Sequence, residues 1–172
     1  RRYHHRGFRG RRQVRFLSKI IPYLCDLISD KMTDNYLLLG AKHKLIAELR
    51  QKGISDENVL QAFDKVERHR FIESFMWDKA YENTALHLIN GQTISQPYTV
   101  AFQSQLLQVK KNDKILEIGT GSGFQAAILS AMGAKVFTVE RQLALYQRTK
   151  QLLDTLDNRI VTYYGDGFKG YR

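Results

Sequence analysis

Cysteine is all but missing from this 172-residue chain. Cys25 is the only one, which excludes an internal disulfide framework and any Cys-based zinc cluster. Proline occurs twice, and there is no low-complexity tract or internal repeat. No run of eighteen uncharged apolar residues exists, so no transmembrane helix is expected and a cytoplasmic protein is the expectation. Acidic residues are scarce over residues 1–31, where nine Lys/Arg face only Asp26 and Asp30. Apolar residues, by contrast, make up 43% of the chain, enough for a packed core, so wholesale disorder is excluded.

The formal charge of +10 is unevenly spread. Residues 1–31 carry +7, while residues 32–172, with eighteen bases and fifteen acids, carry only +3. The body of the chain is nearly balanced, and its charge gives little reason to expect a nucleic-acid groove.

The chain divides into a basic N-terminal extension, 1–31, and a domain, 32–172. The extension opens RRYHHRGFRGRRQVR and continues with apolar residues at helical spacing from Phe16 to Ile28. It reads as a segment added ahead of Met32, with a basic amphipathic helix for a membrane surface or an Arg-rich targeting segment as alternatives. In the helical lead-in, 32–110, one helix runs from Tyr36 through Leu45 and Leu49 to a C-terminal cap at Gly53. Ser55 is the expected N-cap of a second helix with Asp56 and Glu57 in its first turn. Residues 90–97, NGQTISQP, form a polar loop, and Pro97 suits the first turn of a helix running through Val100, Ala101, Leu106 and Leu107.

Residues 111–172 alternate strand and helix: KILEI, a Gly-rich turn, a helix over about 124–132, the strand 136–140, a helix over about 142–156 and the strand 160–167. That order predicts an α/β fold, a Rossmann-like doubly wound parallel sheet.

The Gly-rich turn, Glu117-Ile118-Gly119-Thr120-Gly121-Ser122-Gly123, admits two cofactors. From Gly121, the run to Ala126 satisfies the dinucleotide fingerprint. From Glu117, it is the acidic-x-Gly-x-Gly-x-Gly pattern of S-adenosylmethionine enzymes, in which a strand-end carboxylate holds the cationic amino group of the cofactor. Glu140 and Asp166-Gly167 end the next two strands, where ribose hydroxyls and an adenine amino group would lie. Three acids at successive strand ends favour S-adenosylmethionine and leave the dinucleotide open.

Residues 91–97, GQTISQP, with EIGTGSG and GDG, closely resemble the protein-L-isoaspartate O-methyltransferase family, over roughly Leu45 to Tyr171 and including RFIESF and QPYTVA. The Gly-rich pattern is general to methyltransferases; the T-I-S-x-P loop is the specific signal. The resemblance implies methyl transfer from S-adenosyl-L-methionine to the free carboxyl of isoaspartyl residues in damaged proteins or peptides, starting their repair through a succinimide. It implies no metal and no membrane, and gives no reason to expect a nucleic-acid partner. It implies that Ser95 is the active-site residue. Thr93 and Ile94 shape the same pocket and, with Glu117, Gly119, Thr120, Gly121, Gly123, Glu140, Asp166 and Gly167, contact the cofactor.

Departures from the family pattern, Glu67 where many members have Pro and Ala85-Leu86-His87-Leu88 where they have a Pro-rich stretch, fall in scaffold. The family fold continues through four further strands, so the chain reads as the first three strands of that sheet plus N-terminal helices. On that reading, residues 1–172 alone are expected to be weakly active or inactive. His69 and His87 are expected to be ordinary surface or core histidines, and a helix N-cap is the competing role for Ser95. The rival function is a methyltransferase acting on RNA or DNA, with the basic N-terminus on phosphates; it leaves GQTISQP without a purpose.

Overall fold

A computed structural model describes residues 35–88 and 91–169 of the chain. The basic extension, 1–31, with the readings offered for it, lies outside the described residues. The chain divides into two compact units, Arg1–Leu39 and Gly40–Arg172. Of the first, residues 35–39 are described and are helical, with Tyr36, Leu37 and Leu39 exposed.

The second unit takes in most of a helix described over 35–51 (α1), in which Leu45 and Leu49, four residues apart, are buried. It stops where Gly53 adopts φ 96° and the Ile54 N–H turns back to the Leu49 carbonyl. Helix α2 is Glu57–Lys65, and its N-cap is Asp56, whose carboxylate accepts from the Asn58 N–H. Ser55, the expected cap, lies one residue too early; its backbone N–H, like that of Asp56, donates instead to Gln105 Oε1. Two 3-10 turns follow, Arg68–Phe71 and Ser74–Lys79.

The segment read as a polar loop holds a short strand. Strand β1, Leu86–His87, pairs antiparallel with β2, Thr93–Ile94, placing Ile94 opposite Leu86. Helix α3, Pro97–Leu107, has Pro97 in its first turn as expected, but its inward stripe is Pro97, Val100, Ala101 and Ser104. Leu106, on the opposite side of the helix, and Leu107, its last residue, are exposed.

The main sheet has β3 (Lys114–Ile118), β4 (Lys135–Glu140) and β5 (Ile160–Tyr164) in the order β3-β4-β5, all parallel. Helices α4 (Phe124–Ala131) and α5 (Leu143–Leu156) connect them. β5 ends at Tyr164 rather than running to Gly167, because the chain bends at Gly165 and Asp166 into a 3-10 turn, Gly167–Lys169. Alternation sends Val136, Thr138, Ile160 and Thr162 to one, buried face. On the opposite face Leu116 and Ile118 of β3 remain about half exposed, at 49% and 56%.

Candidate active site

Parallel strands deliver their carboxyl ends to one edge of the sheet, and loops leaving that edge form the standard ligand crevice of open α/β folds. Here that edge carries a cleft of about 810 Å³. One wall is the segment from Glu117 to Ser122, with Glu140 and Asp166-Gly167 beside it; Gln92, Thr93 and Ser95 line the same cleft from the β2 loop. Segments more than twenty residues apart in sequence thus meet around one cavity.

The Gly-rich turn is tightly bonded to itself and to β4. The Gly119 and Thr120 N–H groups donate to the Val139 carbonyl, Gly121 N–H to Glu140 Oε2, Gly123 N–H to the Thr120 carbonyl and Phe124 N–H to Ser122 Oγ. Gly119 has φ 88° with open space where a Cβ would be, so its role is conformational. Gly123 serves packing as well: at φ 85°, a Cβ there would lie 2.8 Å from Thr149 Cγ2 and 3.1 Å from Leu153 Cδ2, so its absence lets α5 close on the turn. With these donors consumed, little of the turn is left to cradle an anion in the manner of a phosphate loop.

The acids have the opposite character. Glu117 and Thr138 are cross-strand partners, and the Thr138 hydroxyl donates to Glu117 Oε2 at 2.5 Å. Thr138 has one hydroxyl proton, so at 2.7 Å it accepts from Thr120 Oγ1, and the chain runs Thr120 to Thr138 to Glu117. Burial lifts the Glu117 carboxyl to about 7; the Thr138 bond opposes that rise and nearby Glu140 adds to it, and among the described residues no cation acts on it. Glu140 is buried, and its two oxygens accept from Gly121 N–H and Gln142 N–H, which fixes the carboxylate plane and leaves a lone pair on each oxygen for a ligand. Asp166 is exposed, its Oδ1 accepting from the Phe168 N–H. Three carboxylates against one cation, Arg141, give the cleft wall a negative bias among the described residues. A cationic ligand group suits such a wall, and a pyrophosphate or nucleic-acid backbone does not.

Ser95 is exposed on the cleft and is not the N-cap of α3; Gln96 occupies that position, with its side-chain amide on the Asn83 carbonyl. The capping role that competes for Ser95 is therefore taken by another residue. Of the ten residues expected beside Ser95, eight line the cleft: Thr93, Glu117, Gly119, Thr120, Gly121, Glu140, Asp166 and Gly167. Ile94 and Gly123 do not. Ile94 is fully buried because its side of β2 faces the core, and Gly123 is buried against α5.

Two further groups escaped sequence reasoning. Thr138, a polar residue inside an apolar strand, is the hydroxyl that holds Glu117, and that polar interruption is a readable signal. Arg68 is buried with its guanidinium on the Ser95 carbonyl, and a lone Arg after a helix gives no signal at all. His69 is half-buried, its Nδ1 3.0 Å from the Tyr81 hydroxyl, and burial lowers its pKa; His87 is exposed, its Nδ1 3.4 Å from Thr93 Oγ1. Neither histidine lines the cleft.

Comparison with known proteins accords with this geometry. Residues 40–172 match the profile of the protein-L-isoaspartate(D-aspartate) O-methyltransferase family. The chain is 54% identical over 141 residues to the protein-L-isoaspartate O-methyltransferase of Flavobacterium johnsoniae, and 49% identical over 140 residues to that of Christiangramia forsetii. In each case 81% of this chain is covered, and the chain spans 66% of the relative's length. A solved protein-L-isoaspartate O-methyltransferase superposes with a TM-score of 0.70 at 27% identity, covering 76% of this chain and 44% of the other. A Plasmodium falciparum protein of the same designation, solved in complex with S-adenosyl-L-homocysteine, superposes with a TM-score of 0.60 at 20% identity, over 71% of this chain and 62% of its own, a likeness of fold alone. With a family profile over residues 40–172 and relatives at about half identity, the chain belongs to the protein-L-isoaspartate(D-aspartate) O-methyltransferase family.

Proposed function

We propose that the protein carrying this chain transfers a methyl group from S-adenosyl-L-methionine to the free carboxyl of isoaspartyl residues in damaged proteins, in the cytoplasm. The observation that carries the reading is a single cleft in which Ser95 and the carboxylates of Glu117, Glu140 and Asp166 converge while the N–H groups of Gly119, Thr120, Gly121 and Gly123 are already bonded. The donor set fits that cofactor: Glu117, a carboxylate lifted to about 7 with no cation acting on it among the described residues, would take its ammonium group. Glu140, with one free lone pair on each oxygen, would accept the two ribose hydroxyls, and Asp166 the adenine amino group.

When bound, S-adenosyl-L-methionine supplies a methyl group on a positively charged sulfur, already activated for transfer. The residues of the chain have correspondingly little chemistry to perform. An isoaspartyl carboxyl is ionised at neutral pH, so no general base is required, and neither histidine need take part. What remains is alignment of a carboxylate oxygen, and well-aligned positioning supplies roughly 7–11 kcal/mol of a barrier. The Ser95 hydroxyl donates a hydrogen bond that orients the carboxylate while leaving its charge, and its nucleophilicity, in place. Thr93, on the same loop, frames the acceptor side of the pocket.

The test is methyl transfer by the full-length protein to an isoaspartyl peptide and to its ordinary aspartyl counterpart, with calorimetric titration of S-adenosyl-L-homocysteine against NAD. Methylation confined to the isoaspartyl peptide, with binding of S-adenosyl-L-homocysteine and not of NAD, is expected. Equal methylation of both peptides, or binding of NAD alone, defeats the proposal.

A further inference from the structure

Arg68 is the largest fully buried side chain of the described residues, 1% exposed, and no carboxylate acts on it. A buried guanidinium is costly unless its donors are used. Here one nitrogen, NH1, donates to the Ala80 carbonyl at 2.5 Å, and the other, NH2, to the Thr84 and Ser95 carbonyls, each at 3.1 Å, while Nε–H has no partner. The three carbonyls belong to separate segments: the end of the second 3-10 turn, the turn before β1 and the loop between β2 and α3. The guanidinium carbon also lies 5.6 Å from the centroid of the Phe124 ring. Phe124 opens α4 directly after the Gly-rich turn and lines the cleft. One rigid fork therefore touches both walls.

We propose that Arg68 is a positioning residue that clamps the Ser95 loop to the start of α4 and so sets the reach of the Ser95 hydroxyl into the cleft. Fixing the Ser95 carbonyl fixes the peptide plane beside it, so that one side-chain torsion decides where Oγ points. The hold on Thr84 extends the clamp, because the adjacent Asn83 accepts from Gln96 Nε2 through its carbonyl and from the Tyr98 N–H through Oδ1. A residue required only to fill space there would be apolar. Burial lowers the Arg68 pKa to about 10, which still leaves the group protonated at neutral pH and the fork intact. The role in turnover rests on the methyl-transfer reading; the clamp itself does not.

The test uses the full-length protein and its R68K and R68M variants, with three readouts: kcat and KM for an isoaspartyl peptide, affinity for S-adenosyl-L-homocysteine, and deuterium uptake by segment. Loss of the fork is expected to lower kcat at least tenfold, to leave S-adenosyl-L-homocysteine affinity within threefold, and to raise uptake over 91–97 while 114–140 keeps its protection. R68K, which keeps the charge but not the planar fork, is expected to fall between the wild type and R68M. Uptake over 91–97 that stays unchanged, or that rises equally over 114–140 with affinity lost in parallel, overturns the clamp and leaves a scaffold role. Should R68M not fold, R68K decides by the same readouts. Failure of the methyl-transfer reading looks different: the wild type neither methylates the peptide nor binds S-adenosyl-L-homocysteine, and uptake over 91–97 still tests the clamp.

Discussion

On the Gly-rich wall of the cleft, the bonds that shape the site close within one strand, the turn that follows it and the neighbouring strand: Gly119, Thr120 and Gly121 to β4, and Thr138 of β4 back to Glu117. On the Ser95 wall, the bonds come from turns and loops outside the main sheet. Arg68 is 27 residues away and reaches Ser95 through its carbonyl, and Asn83 holds Gln96 and Tyr98. The first wall is rigid because it is part of the fold; the second is an exposed segment tied down at a few points. Substitutions on the two walls should therefore fail differently, the first in folding and cofactor affinity, the second in turnover.

The largest effect is expected at Gly123. Alanine there must adopt φ 85° and push against Thr149 and Leu153, and strain together with overpacking costs about 2–4 kcal/mol of stability. Thermal unfolding in the absence of any ligand measures it; a melting temperature equal to wild type would mean that α5 yields easily, and the wall would not be rigid. Next in size is Glu117→Gln. Loss of a charged partner for the cofactor ammonium is worth about 1.5–3 kcal/mol, so calorimetry should find S-adenosyl-L-homocysteine bound on the order of a hundredfold more weakly. The same change should help the empty protein in alkaline solution. A carboxyl raised to about 7 stabilises the fold fully below its unfolded value of 4.5, and that stabilisation is lost as pH rises through 7. Glu117→Gln should accordingly flatten this pH dependence and unfold at a higher temperature than wild type at pH 8.

The same contrast decides what could be read from the sequence. The parallel sheet, the turn and its acids were legible because their determinants are local: strand-length apolar runs, glycines at a strand–helix junction, and a carboxylate at each strand end. The cap of α2 differs because neighbouring Asp56 competes with Ser55, and β5 ends early because the chain bends after Tyr164 into a 3-10 turn. Ile94 and Gly123 belong to the two segments that line the cleft without lining it themselves: a motif gives adjacency and not direction, and their burial follows only from the register of β2 and the position of α5. Arg68 could not be found, because nothing in a linear pattern states that three distant carbonyls will converge on one guanidinium.

Ser95→Ala sharpens the comparison from the other side. The hydroxyl caps no helix and the residue is exposed, so the melting temperature should stay at the wild-type value, within the usual ±0.5 kcal/mol of surface substitutions. Removing one hydrogen bond to a charged acceptor should still lower kcat for an isoaspartyl peptide about ten- to a hundredfold. Affinity for S-adenosyl-L-homocysteine should be unaltered. A loss of stability matching the loss of rate would make the Ser95 wall a part of the fold after all, and erase the distinction.

The smallest effect is the dependence of cofactor affinity on pH, and it isolates the Gly-rich wall without altering a residue. If the ligand ammonium binds the ionised form of Glu117, the carboxyl that titrates at about 7 in the free protein must lose its proton before or during binding. The unfavourable factor is one plus the ratio of protonated to ionised carboxyl. Affinity for S-adenosyl-L-homocysteine should thus rise about tenfold from pH 6 to pH 8, nearly all of it below pH 7.5, with a proton released to buffer in the lower half of the range. Isothermal titration in two buffers of different ionisation enthalpy counts that proton. Glu117→Gln should abolish both the slope and the release, whereas Ser95→Ala should keep both. A slope that survives Glu117→Gln would assign the titration to another group of the wall and leave Glu117 without its role in gripping the cation.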